Sequence, residues 1–180
     1  MRIITGEAKG RIIKAPPGLN TRPTSDRVKE SIFNIISKKI ADSYILDMFA
    51  GTGNLGLEAL SRGAKFCTFI ELDRLAYSFL VDNVKSLNYQ EKSEVFYGDA
   101  FKILKGINKK YDIIFLDPPY GKSMVEKAIN LIFEEGIFGD ETLIVSELDV
   151  KDIIPEKIGC FINYRTEKYG RTKVAFWIKE

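Results

Sequence analysis

The chain has 180 residues, 45% of them hydrophobic, which is enough to bury one well-formed core and short for two. It holds no histidine, which excludes histidine triads, histidine-held metals and a histidine general base, so any catalysis must use carboxylates, amines, hydroxyls and backbone. The net charge of +2 hides an asymmetry: residues 1–40 carry nine Lys/Arg against three Asp/Glu, and the remainder carries 18 against 22. A segment of net +6 ahead of one of net −4 suggests that the N-terminal part faces a polyanion, the alternative being a merely solvated basic face. No apolar run approaches the roughly 20 residues that span a bilayer, and the start Met1-Arg2-Ile3-Ile4-Thr5-Gly6-Glu7 lacks a signal-peptide core. A cytoplasmic protein is expected. Cys67 and Cys160 stand far apart in apolar segments, so buried thiols are expected, with no disulfide and no metal site.

In chain order, Arg2-Ile3-Ile4-Thr5 and Arg11-Ile12-Ile13-Lys14 read as a small basic β-hairpin. Pro16-Pro17-Gly18 and the stretch to Pro23 predict a surface loop. A helix follows, capped by Thr24 or Ser25, with Asp26 in its first turn and Val28, Ile32, Ile35, Ile36 and Ile40 at helical spacing.

From Tyr44 onward strands and helices alternate. Strands are predicted at 44–49, 66–71, 94–97, 111–116 and 142–147, and helices at 54–62, 73–86, 99–105 and 123–134, with Asp99 as a cap. This alternation implies parallel βαβ units in a doubly wound sheet. After a short helix near 149–155, runs at 159–165 and 173–179 are joined by too few residues for a crossover. They predict an antiparallel hairpin and bring the sheet to seven strands.

The first strand leads into Asp47-Met48-Phe49-Ala50-Gly51-Thr52-Gly53-Asn54-Leu55-Gly56, and Glu71 closes the second. Gly51, Gly53 and Gly56 match the dinucleotide fingerprint, but Asp47 beside them would repel a pyrophosphate. A cofactor that carries an ammonium and a sulfonium, as S-adenosylmethionine does, would welcome that carboxylate. Glu71 can accept both ribose hydroxyls, and Asp99 in Gly98-Asp99-Ala100 can reach an adenine amino group. Gly51 and Gly53, which let the backbone approach the ligand, join the expected cofactor set with Phe49, Leu72, Ala100 and Asp117.

Asp117-Pro118-Pro119-Tyr120 follows the apolar strand Tyr111–Leu116 as a rigid corner, because each proline lacks an N–H and has its φ fixed. Asp117 and the Pro118 carbonyl can hold the N–H bonds of a nucleobase amino group, and Tyr120 can stack on a flipped base. That chemistry is alkylation of an exocyclic amine; the plainer alternative is a Pro-Pro turn with an aspartate as turn former.

These motifs resemble the class I S-adenosylmethionine-dependent methyltransferases. More narrowly, Arg2-Ile3-Ile4-Thr5-Gly6, the stretch from Thr21-Arg22-Pro23 to Glu30, Leu57–Ala64 and Tyr169-Gly170 resemble the RsmD family of bacterial ribosomal RNA methyltransferases. The resemblance implies a Rossmann-like α/β fold and methyl transfer to N2 of a guanine in small-subunit (16S) ribosomal RNA, within a partly assembled particle. A monomer without metal is expected. The rivals are an adenine-N6 methyltransferase on DNA or RNA, a nicotinamide-dependent oxidoreductase and a non-catalytic nucleic-acid-binding module. Asp117, Pro118, Pro119 and Tyr120 are the expected catalytic residues. Arg2, Lys9, Arg11, Lys14, Arg22 and Arg27 are expected to grip RNA. Residues 1–24 are read as an extension to a catalytic core at 25–180, with residues 1–14 removable without loss of cofactor binding.

Overall fold

A computed structural model describes residues 1–17, 26–119 and 122–180. Residues 18–23 of the expected loop at 16–23, the caps Thr24 and Ser25, Arg22 and Tyr120 lie outside the described residues. Helix α1 spans Asp26–Ile35 and buries Val28 and Ile32 of the predicted stripe together with Phe33, while Ile35 is half-buried and Ile36 and Ile40 are buried beyond the helix end. Strand β1 (Tyr44–Asp47), α2 (Asn54–Ser61), β2 (Phe66–Glu71), α3 (Arg74–Ser86) and β3 (Ser93–Tyr97) follow. Then come α4 (Ala100–Ile103), β4 (Tyr111–Leu116), α5 (Lys122–Glu135) and β5 (Phe138–Asp149). The chain closes with β6 (Lys157–Ile158), β7 (Phe161–Tyr169) and β8 (Thr172–Lys179).

The sheet order is β3-β2-β1-β4-β5-β8-β7-β6. The first five strands are parallel; β8, β7 and β6 join by antiparallel pairing, as short connections require. Strand order reverses between β1 and β4, and an open α/β sheet parts its loops at such a point and leaves a crevice at the carboxyl ends. β1 and β4 are apolar almost throughout because α1 to α3 cover one face and α4 and α5 the other.

Three expectations change. The sheet has eight strands rather than seven, because Lys157–Ile158 pairs with β7, too short a run to show a period in sequence. No helix forms at 149–155: the Asp149 carboxylate accepts from the Lys151 N–H and the Asp152 carboxylate from the Asp149 N–H, which holds a tight turn instead. Cys67 is buried, but Cys160 is only half-buried.

The N-terminal hairpin is a single bridge, Arg2 to Ile12, with three backbone bonds between its two runs, yet it is firmly seated. Ile3 and Ile13 enter the core. The Glu58 carboxylate of α2 accepts from the N–H groups of Ile4 (2.7 Å) and Thr5 (3.0 Å), and Ser61 Oγ accepts from the Ala8 N–H. Lys29 is fully buried. Its Nζ donates to the Arg2 carbonyl (2.6 Å) and to Asn54 Oδ1 (2.8 Å) and lies 3.3 Å from Glu58, itself bound to Arg62. Burial holds the Lys29 ammonium below its ordinary pKa, with Glu58 opposing the shift. Lys29 is therefore no part of the basic surface, and the hairpin is tied to α2 by buried polar contacts as well as by Ile3 and Ile13. A buried carboxylate and two of its N–H donors would lose each other if it were cut away.

Candidate functional site

A cleft of about 1130 Å³ opens at the carboxyl ends of β1, β2, β3 and β4. It is lined by Asp47, Phe49 and Gly51 after β1, Glu71 and Leu72 after β2, Asp99 and Ala100 after β3, and Asp117, Pro118 and Pro119 after β4. Every described residue expected at the cofactor site lies here except Gly53. Its volume exceeds the ordinary range of small-ligand pockets, so it can take a nucleoside-sized cofactor and a second planar group.

Asp47 ends β1 and is 2% exposed. Its Oδ2 accepts from the Gly56 N–H at 2.9 Å, so the carboxylate fastens the start of α2. Burial pushes its pKa up to about 7, the Gly56 bond resists, and the charges of Asp117 and Glu71 add to the rise. Glu71 works in the same way on its neighbours: Oε2 accepts from the Gly51 N–H and Oε1 from the Asp73 N–H, each at 2.6 Å. Its pKa also rises, first through burial and against those two bonds. Each oxygen keeps a second lone pair for a ligand hydroxyl. Asp99 caps α4 through the Phe101 N–H at 2.8 Å while lining the cleft.

The three glycines divide their work. Gly51, at φ +55°, lines the cleft with open space where a Cβ would stand. Gly53 does not line it. At φ +92°, a Cβ there would come within 2.7 Å of Leu57 and Leu80, so this glycine lets the turn pack against α2 and α3. Gly56 is a packing glycine as well, since its Cβ would meet the Phe69 ring at 2.2 Å.

Further lining groups carry no motif in sequence. Phe101 tilts against Phe49 at 6.0 Å between ring centroids, and Tyr97, 55% exposed, packs on Tyr77 at 5.2 Å. Both Phe101 and Tyr97 line the cleft beside Asp99. Thr52, Asn54 and Met124 also reach it, as do Met1, Ala15 and Pro16 from the base of the hairpin. Position after a strand signals the acids, whereas these side chains arrive from folding alone. Among the described lining residues five are carboxylates and Arg74 is the one Lys or Arg, so the cleft suits a cation and repels phosphate.

The structure does not gather the expected RNA-gripping residues at this cleft. Arg2 is exposed and pairs with Asp26 (3.1 Å), and Arg27 is exposed on the first turn of α1. Lys14 is exposed, and its backbone bonds to Asn83. Lys9, however, sits on the hairpin turn beside Gly6. The neighbouring Glu7 pairs with Lys92, just ahead of β3, which places the turn at the opposite, amino-end edge of the sheet. Arg11 is anchored to the carbonyl of Ser86 at the end of α3. A strand length of roughly 17–20 Å separates the two edges, so Lys9 stands well away from the Asp117 corner.

Solved structures share this architecture. Escherichia coli yhhF matches with a TM-score of 0.90 and 34% identity over 100% of this chain and 98% of that one. An RNA methyltransferase from Salinibacter ruber, solved in complex with S-adenosyl-L-homocysteine, shares the fold at a TM-score of 0.69 and 19% identity, over 87% of this chain and 93% of that one. The fold, with its acidic edge at the switch between β1 and β4, is that of the class I methyltransferases. The family described as conserved hypothetical protein 95 matches residues 1–178. Ribosomal RNA small subunit methyltransferase D of Escherichia coli strain K12 is 39% identical over 100% of this chain and 90% of its own length. YlbH of Bacillus subtilis strain 168 is 41% identical over 99% of both. The chain belongs to this family, the RsmD family of ribosomal RNA methyltransferases.

Proposed function

We propose that the protein methylates the exocyclic N2 amino group of a guanine in small-subunit ribosomal RNA, with S-adenosylmethionine as donor. The observation that carries this reading is the juxtaposition at the switch point. β1 and β4 are paired with Asp47 opposite Phe115, so the acidic cofactor end of the cleft and the Asp117-Pro118-Pro119 corner are neighbours. The cofactor supplies an electrophilic methyl group together with an ammonium and a sulfonium. The residues present fit it: Gly51 leaves room for close approach, Asp47 offers negative charge, and Glu71 and Asp99 offer acceptors for hydroxyl and amino groups.

At the corner, Asp117 and the Pro118 carbonyl accept from the two N–H bonds of the amine, which turns its lone pair out of the ring plane. Proline suits this position because it presents a carbonyl with no competing N–H. The proton leaves after the nitrogen is alkylated, so no strong base is required and the lack of histidine is no obstacle. Tyr120 is the proposed stacking surface for the flipped base. The protein works as a metal-free monomer in the cytoplasm on a partly assembled particle. Tritiated-methyl transfer to small-subunit RNA and particles from cells lacking the protein, followed by nucleoside analysis, tests the proposal. N2-methylguanosine is expected; N6-methyladenosine would overturn the choice of base.

A further inference from the structure

The acidic cleft cannot itself hold an RNA backbone, and the hairpin offers less grip than its charge suggests, since Lys9 and Arg11 lie away from the site's edge and Lys29 is buried. Cations at the correct edge stand on the other side of Asp117. β5 runs parallel to β4, and its last residue, Asp149, pairs with Thr172, the first of β8. The β7–β8 turn from Tyr169 to Thr172 therefore lies at the same edge as the Asp117 corner.

Lys151, Lys168 and Arg171 are exposed there, and none has an ion-pair partner among the described residues. The nearby Asp149 and Asp152 carboxylates are turned onto backbone N–H groups of their own loop. Lys168 stands directly opposite Lys173 across β7–β8, an arrangement of like charges that repels and that an anion would relieve. Lys173 is held in place by the Asp152 carbonyl at 2.8 Å. On the other face, the Tyr169 hydroxyl is hydrogen-bonded to Ser31 Oγ, which fixes the turn against α1, whose first turn carries the exposed Arg27.

We propose that this edge, Lys151, Lys168 and Arg171 with Arg27 across the Tyr169–Ser31 contact, grips the phosphates of the RNA whose base enters the Asp117 corner. The proposal rests on the methyltransferase reading above and names where its substrate lies. Phosphate contacts of this kind position the RNA without reading its sequence and make affinity fall with salt.

The test compares the double variant Lys168→Glu with Arg171→Glu against Lys38→Glu with Lys110→Glu. Lys38 follows α1 and Lys110 precedes β4, so both belong to the opposite edge, and the total charge change is the same. Binding to transcribed small-subunit ribosomal RNA is measured over a salt series, with S-adenosylmethionine affinity and methyl transfer on the same preparations. The first pair is expected to weaken RNA binding at least about tenfold, with cofactor affinity unchanged. It should also flatten the slope of log affinity against log salt by roughly 0.7 for each phosphate that is no longer neutralised. The second pair is expected to change RNA binding less than about twofold. Equal effects from both pairs, or no effect from the first, would overturn the assignment while methyl transfer by the wild type still upheld the function. A wild type that binds cofactor but methylates neither RNA nor particles would overturn the function and this surface together.

Discussion

Asp47 and Gly56 are joined across nine residues by a 2.9 Å hydrogen bond from the Gly56 N–H to Oδ2, so an acid that lines the cleft also fastens the helix behind it. Because Asp47 is buried, its pKa stands at about 7 against an ordinary value of 3.8. The folded protein therefore holds a proton that the unfolded chain releases between those values, and stability falls as pH rises from about 4 to about 7.

Asp47→Asn keeps an acceptor for Gly56 and removes the charge. Without cofactor, the variant should be more stable than wild type at pH 8 by on the order of 1–4 kcal/mol, and equal to it near pH 4. Cofactor binding should show the opposite sign, since a cationic ligand favours the ionised acid. Wild-type affinity should rise with pH through about 7, and the difference between wild type and Asp47→Asn should vanish at pH 5. Denaturation and calorimetry at pH 5 and 8 check both halves; a variant that binds as well as wild type at pH 8 would remove Asp47 from the cofactor's surroundings.

Glu71 makes two backbone bonds in the protein alone, so its loss should be felt before any ligand binds. Glu71→Ala should lower stability by about 1–3 kcal/mol and weaken S-adenosylmethionine by a similar amount, because two N–H groups lose a charged acceptor. Glu71→Gln can satisfy one of those groups and should recover part of the stability. Denaturant melts with and without cofactor separate the two effects; equal stability of all three proteins would mean that the loop does not depend on this side chain.

Buried charge holds the hairpin to α2. Glu58→Ala should cost about 3–5 kcal/mol, since Lys29 would be left with its charge uncompensated and the Ile4 and Thr5 N–H groups without acceptors. Deletion of residues 1–14 should likewise unfold the protein rather than merely remove RNA binding. Chemical denaturation of Glu58→Ala measures the cost directly, and a truncated chain with a native melting curve would show that the hairpin is a removable arm after all.

The strand-end acids were legible in sequence because each signal is local: an apolar β-branched run, then a carboxylate, then a glycine, cap or proline. Asp47, Glu71, Asp99 and Asp117 share a cleft because parallel strands place all their carboxyl ends at one edge. What escaped depends on residues distant in sequence. Lys29 reads as one more surface charge until Glu58 and Asn54 close around it. Lys9 has a suitable charge, but only the direction in which the hairpin docks shows that it lies at the far edge. Gly53 fits a ligand-binding fingerprint, but only the folded chain shows that a side chain there would collide with Leu57 and Leu80. The two-residue strand β6 is defined by its partner β7 and has no pattern of its own.

The decisive measurement is methyl transfer to small-subunit ribosomal RNA or particles under single turnover by wild type and Asp117→Ala, with cofactor affinity determined on the same samples. In the proposed mechanism Asp117 acts on the amine as it becomes a nucleophile, an interaction that strengthens toward the transition state. A fall in rate of about 10²-fold or more is expected, in the range found when a transition-state hydrogen bond is removed, with cofactor affinity changed by less than about threefold. An Asp117→Ala protein that transfers methyl groups at the wild-type rate would contradict the role of the corner in the chemistry.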